Sequence, residues 1–136
     1  MAESNIHIKL VSALVSWIAT KYFQGERGSL LIDSSESPAI AKPSGINGYV
    51  PDVIGHGLSD GLVVIGEAKT SGDLENLHTQ EQLKAFLQYC AARPSSIFVL
   101  AVPWHMTRFA RALLKSIGRR SGYESVSTVV LEQLEG

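Results

Sequence analysis

An internal disulfide is ruled out first, because the 136 residues contain a single cysteine, Cys90. One thiol fits a reducing compartment, and a cytoplasmic location is the expectation. Cys90 falls on the apolar side of an expected helix with no histidine at helical spacing, which argues against a thiol nucleophile. Nor do the four histidines, His7, His56, His78 and His105, show zinc-ligand spacing. A surplus of charge is missing as well: 12 basic residues stand against 13 acidic ones, so any surface for nucleic acid must be local. Long hydrophobic runs are absent. The apolar part of the N-terminal segment, residues 10–18, is too short to span a bilayer, and no basic leader or cleavage site accompanies it, so no membrane partner is expected. No glycine-rich phosphate loop joins a strand to a helix, so no nucleotide cofactor is expected either. Without repeats or low-complexity tracts, residues 1–136 read as one domain with room for a real core.

What is present centres on residues 49–70, YVPDVIGHGLSDGLVVIGEAKT. Apolar β-formers (Val50, Val53, Ile54, then Leu62, Val63, Val64, Ile65) flank the turn-formers Gly55, Gly57, Ser59, Asp60 and Gly61, the composition of a β-hairpin. With the turn centred on Ser59 and Asp60, residues whose numbers sum to about 119 face each other, which sets Asp52 opposite Glu67. Alternation along the strand puts Lys69 on the same face as Glu67, with Ala68 on the other. Pro51 lacks an N–H, so a strand end or a bulge is expected beside Asp52.

Two acids opposite each other in an apolar hairpin destabilise the sheet unless a cation lies between them. Mg²⁺ takes oxygen ligands, typically one or two carboxylates with several waters retained, and Mn²⁺ accepts similar donors. Asp52, Glu67 and the carbonyl of Ala68 are therefore the candidate metal ligands. Asp52, Glu67 and Lys69 are the candidate catalytic residues, with Lys69 placed to position or activate an attacking water near a phosphate.

Pro51-Asp52 followed by Glu67-Ala68-Lys69 at the end of an apolar strand resembles the PD-(D/E)xK motif of the restriction-endonuclease-like nuclease superfamily, which includes Holliday-junction resolvases and RecB-type nuclease domains. The resemblance implies an α/β fold with a mixed central sheet flanked by helices, in the order αβββαβαβ over nearly the whole chain. It also implies a Mg²⁺-dependent deoxyribonuclease acting on DNA. Some members carry a glutamate near the start of the first helix; only Glu3 answers to it here, and Glu26 lies beyond the helix. In RecB-like members a glutamine and a tyrosine on the helix after the motif help hold the site or the DNA. Gln82 matches the first, and Phe86 stands where the tyrosine is expected.

The rest of the chain fits that order. Ile6, Leu10, Leu14, Trp17 and Ile18 recur at helical spacing over residues 5–23, with Ser4 or Asn5 to cap the start and Gly25 near the stop. Residues 29–32 read as a first strand, leaving through a serine-rich loop that contains Asp33 and Glu36. Residues 39–48 read as a loop rimming the active face, and 70–76 as a short polar loop closing over substrate, with Thr70 as a contact. A helix over 77–92 buries Leu83, Phe86, Leu87, Cys90 and Ala91, and His78 at its start is a candidate phosphate contact. Residues 97–102 form a strand covered on both faces and parallel to the Glu67 strand. Met106, Phe109, Ala110, Leu113, Leu114 and Ile117 mark a further helix, and residues 126–131 a last strand. On the outer face of that helix Arg108, Arg111, Lys115 and Arg119, with Arg120 beside them, form a stripe suited to phosphates; Arg108, Arg111 and Lys115 are the expected substrate contacts.

The expected function is metal-dependent hydrolysis of phosphodiester bonds by a structure-dependent DNA endonuclease. Two alternatives are a DNA- or protein-binding module that does not cut, and a subunit completed by a partner. Paired cuts on two strands require two sites, which in so small a chain means a homodimer.

Overall fold

The computed structural model describes residues 5–33, 42–57 and 61–133. A helix, α1 (Asn5–Tyr22), leads into three antiparallel strands, β1 (Leu30–Ile32), β2 (Val53–His56) and β3 (Val63–Ala68). A one-turn helix, α2 (Ser71–Leu74), and a long one, α3 (Leu77–Ala91), return the chain to β4 (Ser96–Pro103). From there α4 (Thr107–Ser121) returns it to β5 (Ser127–Gln133). The five strands lie in the order β1-β2-β3-β4-β5, with β3, β4 and β5 mutually parallel. The fold is thus α/β with a mixed sheet flanked by helices. Among the described residues no helix is long and apolar enough to cross a membrane.

Alternation along the strands divides the interior into two cores. On one face Leu10, Leu14, Val15 and Ile18 of α1 pack on Val53, Val64, Val99 and Ala101. On the other, Leu83, Phe86 and Leu87 of α3 and Leu113, Leu114 and Ile117 of α4 cover Ile54, Ile65, Phe98, Leu100 and Val102. Gly66 lets α1 approach closely: a Cβ there would lie 2.6 Å from Val53 Cγ1 and 2.8 Å from Ile18 Cδ1. α1 stops where Gln24 and Gly25 take φ of 54° and 83°, and the Gly25 N–H closes back on the Ala19 carbonyl at 2.8 Å.

The hairpin register is the one its turn implied, since Val53, Ile54, Gly55 and His56 pair with Gly66, Ile65, Val64 and Val63, each pair summing to 119. The turn's centre, Ser59 and Asp60, lies outside the described residues, as do Glu3, Ser4 and Glu36.

Several expectations need correction. The order αβββαβαβ is not followed, because α2 stands within residues 70–76, where a polar loop was expected. Leu74 is fully buried (0% exposed) and anchors that segment against the core. β2 starts at Val53 rather than near Val50, since Pro51 cannot donate to a ladder; a strand end, and no bulge, adjoins Asp52. At its other end β2 runs to His56, which pairs with Val63, so Gly55, read as a turn-former, lies within the strand. Ile6, Ala91 and Phe109 are exposed, because each helix buries a narrower stripe than its apolar content suggests.

Candidate active site

The end of β3 and the residue preceding β2 meet where the antiparallel ladder runs out. Asp52 continues the register just beyond Val53, and with no strand partner its N–H turns to the Glu67 side chain, donating to Oε1 at 3.0 Å. The Ala68 N–H donates in turn to Asp52 Oδ2 at 2.8 Å. Each acid is therefore held by the backbone of the opposite segment. In extended chain the N–H and C=O of one residue face the same neighbour, so the Ala68 carbonyl lies on the Asp52 side too.

Lys69 follows on the α3 side of the sheet. Its Nζ stands 3.3 Å from Glu67 Oε2 and donates to Gln82 Oε1 on α3. The Gln82 side chain is buried, and α3 presents it because Asn76 caps the helix, accepting from the Thr79 N–H at 2.8 Å. From the other sheet face α1 contributes His7, whose Nε2 is 3.6 Å from Asp52 Oδ2.

Asp52 is 9% exposed and Glu67 3%. Burial and the neighbouring Asp52 charge push the Glu67 carboxyl well above the usual carboxylate range, against the opposing pull of Lys69. Burial also works against ionised Asp52, but hydrogen bonds from His7, Glu67 and the Ala68 N–H outweigh it and hold that carboxyl below its ordinary value. Glu67 therefore keeps its proton into a range where Asp52 has lost its own, as two close carboxylates must.

Set against models of known protein families, curated proteins and solved structures, the chain matches none. The chemistry of the site is then the guide to its use.

The donor set suits a hard divalent cation. Asp52 Oδ1 and Glu67 Oε2 remain beyond the oxygens bonded to backbone N–H groups, and the Ala68 carbonyl adds a third oxygen. A cation between the acids would relieve the same repulsion that raises the Glu67 carboxyl. Among the described residues no three His, Cys, Asp or Glu side chains converge to hold a metal ion, so the shell would be completed by carbonyl and water oxygens.

The structure brings Asp52, Glu67, Ala68, Lys69 and Gln82 together. Thr70 borders the group with its hydroxyl donating to Asp73 Oδ2 at 3.0 Å, an interaction that organises the start of α2. Arg108, Arg111 and Lys115 are exposed on α4. Asp33 is exposed, although its N–H reaches the Asp52 carbonyl at 2.9 Å. Glu26 is exposed ahead of β1, and His78 rests edge-on against Tyr49 with ring centroids 5.5 Å apart. His7 had no signal in the sequence, because its place beside Asp52 depends on how α1 crosses the sheet. The Ser71–His105 contact, Oγ to Nε2 at 3.0 Å, is likewise tertiary and ties the chain after Lys69 to the entry of α4.

Proposed function

We propose that this protein is a divalent-metal-dependent nuclease that hydrolyses phosphodiester bonds in DNA, built on a restriction-endonuclease-like core. The observation that carries the reading is the interlocked acid pair, Asp52 to Glu67 Oε1 and Ala68 to Asp52 Oδ2, with Lys69 held beside it by Gln82. A bound Mg²⁺ or Mn²⁺ would supply Lewis-acid stabilisation of the charge developing on the phosphate and acidify the attacking water. Asp52 and Glu67, with the Ala68 carbonyl, would hold the cation. Lys69, restrained between Glu67 and Gln82, orients the water towards phosphorus. The exposed cations of α4 engage the DNA backbone, and paired cuts in both strands require two copies of the chain.

The test is cleavage of a labelled panel of junction, flap, single strand and duplex in Mg²⁺, Mn²⁺ or EDTA. Asp52→Ala and Lys69→Ala are expected to lower the rate by about a hundredfold or more while leaving the circular dichroism spectrum intact. Cleavage that survives in EDTA or in Lys69→Ala would refute the assignment. One variation of this reading is a subunit whose site is completed by a partner. That variation predicts weak Mn²⁺ binding by the isolated chain in calorimetry.

A further inference from the structure

Away from the acid pair, a groove with a volume of about 420 Å³ lies between α4 and β5. Its rim carries Arg111, Lys115 and Arg119, all exposed, and its floor is apolar, formed by residues such as Leu114, Tyr123 and Val130. Among the described lining residues one acid, Glu124, opposes the three cations. A volume of that size matches a small ligand. A duplex shows a protein mainly its phosphates, and an apolar floor beneath a cationic rim gives those phosphates nothing extra. An unpaired base with its phosphate satisfies both parts, the base on the floor and the phosphate at the rim.

The spacing supports an extended strand over a lone nucleotide. Arg111, Lys115 and Arg119 lie four residues apart, a rise of about 6 Å per step along the helix, close to the separation of neighbouring phosphates in an extended single strand. The row also leads to the acid pair. Arg108 continues it towards the start of α4, where Trp104 is 55% exposed, and His105 next to it contacts Ser71, two residues past Lys69. An exposed indole at that point offers a stacking surface for a base leaving the groove.

We propose that the α4–β5 groove binds single-stranded nucleic acid and leads it past Trp104 to Asp52, Glu67 and Lys69. The destination rests on the nuclease reading; the binding does not. It is tested by fluorescence anisotropy in EDTA, where no cutting complicates the measurement, using a labelled oligo-dT and a duplex of equal length. Wild-type protein is expected to prefer oligo-dT. The triple variant Arg111→Ser, Lys115→Ser, Arg119→Ser, altered only at exposed positions, is expected to bind oligo-dT at least tenfold more weakly. Its salt slope should also fall by about 2, at roughly 0.7 per cation removed. Trp104→Ala is expected to weaken binding about fivefold or more, with Trp104→Phe restoring most of it. Thermal melts verify that each variant is folded.

Equal affinity for duplex and single strand would overturn the proposal, as would wild-type binding by the triple variant. Tighter groove-dependent binding of a poly-glutamate peptide than of oligo-dT would also overturn it and assign the groove to an acidic protein segment. Groove-dependent binding with no cleavage in Mg²⁺ sustains this inference while removing the nuclease reading. Lys69-dependent cleavage with a silent groove does the reverse.

Discussion

Glu67 works against the fold that holds it. Its raised pKa means the native chain keeps a proton that the unfolded chain releases, so stability is greatest below the ordinary carboxylate value and falls as pH climbs through the raised one. Asp52 acts in the opposite sense: its contribution is present above the ordinary value and is lost as pH drops through its depressed one. In EDTA the melting temperature is therefore expected to decline on the alkaline side of the carboxylate range. Glu67→Gln keeps an acceptor for the Asp52 N–H but cannot ionise, so its melting temperature should stay flatter and lie a few degrees above wild type at the alkaline end. A parallel decline in the variant would assign the effect to other groups. Asp52, Glu67 and Lys69 were legible in the sequence because a hairpin register is a local property, fixed by turn position and alternation. His7 was not, since no spacing within α1 encodes which strand end the helix passes.

Among the elements, β3 carries the tightest constraint. A methyl at Gly66 meets Val53 on β2 and Ile18 on α1, so Gly66→Ala must either separate α1 from the sheet or shift β3. The expected cost is about 1–3 kcal/mol. Because Glu67 is the next residue, a second effect is expected at the site: weaker Mn²⁺ binding by calorimetry at a temperature where the variant is fully folded. Unchanged binding would show that the helix yields and the strand does not. The elements themselves were mostly readable from period and length, with α2 as the exception. Ser71, Gly72 and Asp73 are turn-formers, and the turn becomes helical because the adjoining core takes Leu74, a tertiary cause that composition does not carry. The late start of β2 shows the converse, a boundary set by Pro51 alone and misjudged only because Val50 extends the apolar run.

At the scale of the molecule, one sheet serves two cores, with α1 the one described helix on one face. Neither core has its own backbone framework, so unfolding is expected to be a single transition, with Trp17 fluorescence on the α1 side, read in a Trp104→Phe background, coinciding with far-ultraviolet circular dichroism. Leu14→Ala, at a fully buried position, is expected to cost about 2–5 kcal/mol and to move both signals together. Separate transitions would instead mean that the two faces melt independently. The mixed sheet followed from reading an antiparallel hairpin and then helix-linked parallel strands, whereas the allocation of helices to opposite faces had no local signature.

The mutual hold between Asp52 and Glu67 bears on inheritance as well as on mechanism. Each acid is oriented by a backbone N–H of the opposite segment, and that donor survives replacement of the other side chain, so a descendant that loses one acid still holds the second in place. A lineage that lost one acid would therefore remain a single substitution away from restoring the pair, with the sheet left standing.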